Sequence, residues 1–477
     1  MTGKLNGRLV FAIAASALGS AFQHGYNTGV INAPQNLIEL FIRTIMSDRK
    51  GCEDINCISP STIKLVWAVA VSIFCIGGMV GGALTGIVSN KIGRRSGLIY
   101  TNILVFVSAI MLGISKTIKS YEIIIVGRFI IGVACGLFAG LAPMYLNEIS
   151  PTSMRGAVGT VYQLMLTISI LISQVIGLEN FLGTTELWPV LLFITALPSI
   201  PMVIMLLFCP ETPKHILHKT ENEGEMKKSL IWLRGTDDVE DEMNEIKAEH
   251  ESLKSLPTVS LKQLFSIKAI RIPTIIAIVI MVGQQFSGIN AAMFYSTQLF
   301  SNTGGLSHKD AQYGTIGMGT VNVLMTIVSL FLIEKAGRKT LLLSGFGSMS
   351  VVTVVLIIFL YLSKSMEWAG WASIIGVMLF VVAFAIGPGS IPWFLVNEIF
   401  HQSARPVAAS LAVLINWAAN FIVGLTFAPL EEIIHQWIFI FYFVCQVATF
   451  VFIYFYVPET KQKTISEITA IFQARAN

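Results

Sequence analysis

Between residues 283 and 296 the chain reads GQQFSGINAAMFYS, directly after the apolar run TIIAIVIMV. Gln284, Gln285, Ser287 and Asn290 therefore crowd into a segment oily enough to lie in lipid. A carboxamide donates and accepts hydrogen bonds without carrying charge, and leaving one buried and unpaired costs about 1–3 kcal/mol. Such groups must bond across helices or hold a neutral polar solute. Other apolar stretches carry the same chemistry at Gln163, Asn322, Asn416 and Asn420, with Trp393 adding aromatic surface. None of these stretches pairs a nucleophile with a base or clusters metal ligands. The chemistry on offer is recognition, and neither enzyme activity nor a cofactor is expected.

The elements that must position these groups follow from composition. Of 477 residues, 54% are hydrophobic and only 13% charged, and mean hydropathy is +0.71, far from a soluble norm. Apolar stretches of about 20 residues, each able to cross a hydrocarbon core of about 30 Å, recur at 9–29, 64–88, 97–115, 121–146, 157–178, 187–208, 272–299, 313–333, 341–362, 371–396, 407–428 and 436–456. This predicts an all-α membrane protein with twelve transmembrane helices. The first stretch is too long, and lacks the small-residue cleavage site, to be a signal peptide.

An even number of crossings puts both termini on one side. Assigning the termini and the loops after spans 2, 4, 6, 8 and 10 to the cytoplasm gathers 23 of the 32 Lys and Arg residues, against 8 outside and Arg128 within a span, as the positive-inside rule requires. The net charge of +4 is this topological bias, and no nucleic-acid partner is expected. Cys52 and Cys57 share an outer loop, where a short disulfide and two separate thiols are both open.

The chain is built twice. NKIGRR at 90–95 returns as EKAGRK at 334–339, NEISPTSMRG at 147–156 as NEIFHQSARP at 397–406, and PET at 210–212 again at 458–460. Three motifs in one order at nearly one offset mark a parallel repeat. The expected divisions are a six-helix half over 1–210, a cytoplasmic helical linker over 211–268, a second six-helix half over 269–460 and a tail over 461–477. Within the linker, Val239, Met243, Ile246 and Leu253 recur at helical spacing among charges, which predicts an amphipathic helix.

These residues resemble a known family, the facilitative glucose transporters among the sugar porters of the major facilitator superfamily. The likeness spans the chain through GYNTGVINAPQ (25–35), GRR (93–95), PMYLNEISPTSMRG (143–156), PETPK (210–214), QQFSGINA (284–291), GPGSIPWFLVNEIF (387–400), NWAANF (416–421) and VPETK (457–461). It implies a plasma-membrane hexose carrier, functional as a monomer in the bilayer, with a substrate site at Gln163, Gln284, Gln285, Asn290, Asn322, Trp393 and Asn416. It also implies an outer gate at Phe294 and Tyr295. A sugar suits such a lining, because its hydroxyls need uncharged donors and acceptors and its ring faces need aromatic surface.

Geometry adds two expectations. On a straight helix Gln284, Gln285 and Asn290 cannot share a face, so span 7 should break at Ser287–Gly288. Span 10 should hinge at Pro388 and Pro392, which lack an N–H. At the inner helix ends, Arg94, Arg95, Glu148, Arg155, Glu334, Arg338, Glu398 and Arg405 form repeated acid and base sets expected to latch the halves together when the cavity opens outward. Glu334 is the exception, since Asn90 stands at the matching position.

Asn27 stands where proton-driven sugar porters of the family carry an aspartate, and an amide cannot cycle a proton. That favours uniport. His24 keeps a proton-coupled symporter as an alternative, and a non-transporting sugar sensor of the same fold is the other. For the substrate, Met281, Val282 and Gly283, Ala385 and Phe138–Ala139 depart from the glucose-selective pattern whereas Trp393 keeps it. D-glucose is the first expectation and D-fructose the second.

Overall fold

The computed structural model describes residues 6–476 except 53, 55–56, 152–153, 256–258, 401–402, 462 and 464. Its first half comprises α1 (Gly7–Gly29), α2 (Gln35–Lys50), α3 (Pro60–Lys91), α4 (Arg94–Ile114), α5 (Glu122–Ile149), α6 (Arg155–Ile176) and a sixth crossing made of α7 (Trp188–Phe193), a 3-10 turn and α8 (Ser199–Phe208). Then come α9 (Pro213–Thr220), α10 (Glu223–Arg234), α11 (Glu240–Ser255) and α12 (Leu261–Ser266). The second half comprises α13 (Lys268–Gln285), α14 (Ile289–Gln298), α15 (His308–Lys335), α16 (Arg338–Leu362), α17 (Glu367–Ile386), α18 (Ile391–Ile399), α19 (Arg405–Ile434) and α20 (Ile438–Tyr456), and α21 (Ile465–Ala476) follows.

Helix starts are written locally. Asn6 caps α1 by accepting from Leu9 N (2.8 Å), Ser59 caps α3 ahead of Pro60, and Ser307 caps α15 at Asp310 N (3.2 Å). Each cap satisfies an N–H that the helix itself leaves unpaired.

Nine segments among the described residues are long and apolar enough to cross a membrane, and one of them, Arg405–Tyr456, contains both α19 and α20. The remaining two crossings are α1, with 23 residues, which carries Gln23, His24 and Asn27, and α6, with 22, which contains the shorter apolar stretch Val161–Ile176. Twelve crossings result.

Within the first half α3 packs on α5 and α1 on α6; within the second, α16 packs on α17 and α20. Close approach at the first pair depends on glycine, since a β-carbon at Gly132 would stand 2.1 Å from Phe74 O and one at Gly136 2.3 Å from Gly78 O. Small residues let membrane helices gain dispersion contacts that lipid does not offer. Between halves the principal joints are α3 with α19 and α6 with α15.

Val239, Met243 and Ile246 are buried with Leu217, Met226 and Leu230 as the linker's own core, while the Leu253 side chain lies outside the described residues. The linker is tied to the first half by Asn6 Nδ2 donating to Leu233 O (2.9 Å) and by Arg234 donating to Ile149 O (2.8 Å). Cys52 and Cys57 are joined as a disulfide.

Candidate functional site

Two helix breaks face each other. Between α13 and α14 the chain turns through Gly288 at φ +94°, a left-handed conformation natural to glycine, and Ser287 Oγ donates to Gln284 O (2.6 Å). The break falls at the expected Ser287–Gly288. Between α17 and α18 the residues Gly387–Ser390 interrupt the helix. Pro388 has no N–H for Phe384 O, which instead takes Gly389 N (2.9 Å). Pro392 likewise has none for Pro388 O.

Gln284 takes up that freed carbonyl. Its Nε2 donates to Pro388 O (2.7 Å) and Gly389 O (2.8 Å), and its Oε1 accepts from Asn416 Nδ2 (2.7 Å). Gln285 Nε2 donates to Asn416 Oδ1 (3.0 Å), and Gln285 Oε1 accepts from Asn290 Nδ2. Asn416 Nδ2 also reaches Met281 Sδ (3.5 Å). Four amides from α13, α14 and α19 thus form one uncharged network against the broken span. Gln446, which sequence reasoning passed over, secures the first break by donating to Ser287 O (2.8 Å) and accepting from Thr353 Oγ1 (3.1 Å).

The other expected lining residues stand outside this network. Gln163 is half-buried on α6, Asn322 is 7% exposed on α15, and Trp393 is 38% exposed on α18, beside the buried Pro392. Asn420, one turn beyond Asn416, keeps Oδ1 buried without a partner. A groove of about 400 Å³ between α1 and α6, lined by Val10, Ala14, Leu18, Val158 and Val161 among others, is wholly apolar and contains none of the site residues.

Phe294 and Tyr295 are fully buried. The Tyr295 hydroxyl donates to Gly424 O (2.8 Å), and its ring stacks on Phe427 at 5.2 Å. Around them the halves are sewn together on the side away from the termini. Asn32 Nδ2 donates to Met293 O (2.9 Å) and Ser296 Oγ (2.8 Å), and Asn32 Oδ1 accepts from Thr297 N (3.1 Å). Gln35 donates to Gln298, Gln298 donates to Glu431 (3.0 Å), and Thr303 also donates to Glu431. The sequence reading missed this seam, because its polar residues near span ends look like ordinary interfacial residues.

The acid and base sets at the opposite side close within each half rather than between halves. Arg94 pairs with Glu148 (3.0 Å) and Arg338 with Glu398 (2.9 Å). Each glutamate also accepts from a PET threonine, Thr212 Oγ1 (2.5 Å) or Thr460 Oγ1 (2.6 Å). The PET glutamates take backbone amides: Glu211 accepts from Arg94 N and Arg95 N (both 3.0 Å), and Glu459 from Arg338 N (2.7 Å). The repeated PET tripeptide thus has a structural role that the reading of the sequence did not assign. Arg95 donates to Leu206 O (2.7 Å) and Arg405 to Phe400 O (3.4 Å), while the side chains of Arg155 and Glu334 lie outside the described residues. Among the described residues these side chains form no bond between the halves, which are instead bonded at their other ends through Asn32 and Gln35. Beside Glu211, burial pulls the His215 imidazole below its ordinary pKa, and its Nδ1 lies 2.8 Å from the Arg94 guanidinium.

In the first half, Asn27 Nδ2 donates to Gln23 O (2.9 Å) and Thr195 Oγ1 (2.8 Å), and Asn27 O accepts from Arg128 (2.8 Å). Arg128 lies over the Phe74 ring at 4.5 Å.

Twelve crossings in two repeated halves, with an uncharged hydrogen-bonding cluster where two spans break, define a membrane carrier of the major facilitator fold. The chain belongs to the family described as sugar (and other) transporter, whose model matches residues 12–472. That membership makes it a transporter and not an enzyme. It is 43% identical over 470 residues to solute carrier family 2, facilitated glucose transporter member 1 of Gallus gallus, covering 98% of this chain and 94% of that protein. To member 4 of Homo sapiens it is 42% identical over 469 residues, covering 98% and 91%. Among solved structures, the inward open conformation of the xylose transporter XylE from E. coli matches with a TM-score of 0.79 at 24% identity, covering 97% of this chain and 99% of that one, a likeness of fold.

Proposed function

We propose that the protein is a facilitative hexose uniporter of the plasma membrane, with both termini cytoplasmic, carrying D-glucose foremost and D-fructose second by alternating access. The observation that carries this reading is the network of Gln284, Gln285, Asn290 and Asn416 at two facing helix breaks, whose amide bonds a hexose can exchange for bonds to its hydroxyls. Gln163, Asn322 and Trp393 complete the lining from neighbouring spans. Millimolar binding, about 4 kcal/mol, suffices for a carrier that must also release its cargo. The seam at Asn32 and Gln298 shuts the outer side, so this is an inward-facing state. The latch residues at the inner ends bridge the halves only when the outer side opens. Uniport is supported by Asn27, whose amide is committed to Gln23 and Thr195 beside Arg128, where a coupled carrier would need an acid.

Radiolabelled D-glucose and D-fructose uptake into proteoliposomes, with and without an imposed proton gradient, tests this. Saturable uptake indifferent to the gradient is expected. Uptake that disappears when the gradient is collapsed would overturn uniport.

A further inference from the structure

Gln174 follows Gln163 by eleven residues on α6. At about 100° per residue this returns it to within about 20° of the same face, roughly 16 Å further along the helix. Gln163 is half-buried, but Gln174 is 2% exposed and both its Nε2 and Oε1 are buried without a hydrogen-bond partner. What covers it belongs to the other half: a β-carbon added at Gly319 on α15 would stand 2.0 Å from Oε1. The α6–α15 contact is one of the two principal joints between halves. Buried carboxamides with both ends unpaired are rare in folded proteins, and each one demands a reason. Here the reason is that the seal lasts only while the halves touch.

We infer that Gln174 is a sugar-binding residue of the outer vestibule, bonded to a hexose hydroxyl while the outer side is open and stranded against Gly319 when it shuts. The inference rests on the reading of the chain as an alternating-access hexose carrier. Gln174 then gives an entering sugar its first amide, and Gln163 the next on the same face. Its unpaired burial also opposes outer closure, so it holds part of the population outward-facing.

The test is the pair Gln174→Met and Gln174→Leu, with KM for D-glucose measured separately for zero-trans uptake and efflux. The ratio of uptake KM to efflux KM should rise about fivefold or more, because one hydrogen bond is lost outside and the closed state is relieved of an unpaired amide. An unchanged ratio in a transporting variant overturns the proposal. Should both variants misfold, Gln174→Cys treated from outside with a membrane-impermeant thiol reagent decides: reaction above the wild-type background, slowed by saturating D-glucose, is expected, and no added reaction in a transporting variant overturns it. Absence of D-glucose flux through the wild type would instead sink the functional reading, and labelling of Gln174→Cys without sugar would still show whether the residue opens outward.

Discussion

Gln284 bonds the carbonyl of Pro388 at 2.7 Å, and that carbonyl is free because Pro392, four residues on, has no N–H to give it. One broken span thereby caps the break in another. The amide cluster and the hinge are mechanically one unit.

Gln285→Leu removes the donor to Asn416 and the acceptor for Asn290. With about 1–3 kcal/mol at stake, D-glucose uptake in proteoliposomes should fall about 10- to 100-fold while the protein still elutes as a folded species. Wild-type transport in this variant would remove the site assignment.

Pro392→Ala supplies an N–H that competes with Gln284 for Pro388 O. The stiffened break should lower maximal uptake severalfold without lowering the melting temperature. Unaltered turnover would show that the break is a static kink.

Gly288→Ala imposes a β-carbon at φ +94°, with the Tyr442 ring 3.0 Å away. Left-handed strain costs about 1–2 kcal/mol, so a lower melting temperature and weaker uptake are expected together. Equal stability to wild type would mean that the turn tolerates a side chain.

Asn32→Ala deletes three bonds that cross between halves at the seam proposed to shut the outer side. At about 0.5–1.5 kcal/mol each, their loss shifts the carrier outward, and the KM of uptake should drop relative to that of efflux. A ratio moving the other way would contradict an outer location for this seam.

His215 predicts a pH effect at the linker. Its pKa in the fold is lowered, chiefly by burial, so the unfolded chain binds more protons below the ordinary imidazole value of about 6.5. The stability it contributes is present above that value and is lost as pH falls through the folded pKa. Thermal melts of the purified carrier from pH 8 to about 5 should show this decline, and His215→Gln should flatten it. Parallel curves for the two proteins would exclude the residue as the source.

Much of this was legible along the chain. Twelve apolar stretches, the doubled motifs, the crowding of Gln284, Gln285 and Asn290, and the breaks at Gly288 and Pro388 are local or periodic properties, and periodicity and backbone freedom are written residue by residue. The basic bias that predicts an orientation is a tally of the same kind.

Partnership is different, because it depends on which helices adjoin and which backbone groups their breaks release. Of the equally polar Gln163, Asn322 and Asn416, only packing of α13 on α19 could select Asn416 for the network. Arg338 could have met an acid of either half, and the fold gave it Glu398, which Thr460 also bonds, and Glu459 from the repeated PET. Gln174 looks in sequence like one more amide in an oily helix. Only the fold shows it buried and unpaired with its Oε1 against Gly319 of the opposite half, because an amide's hydrogen bonding is settled by what stands within about 3 Å of it.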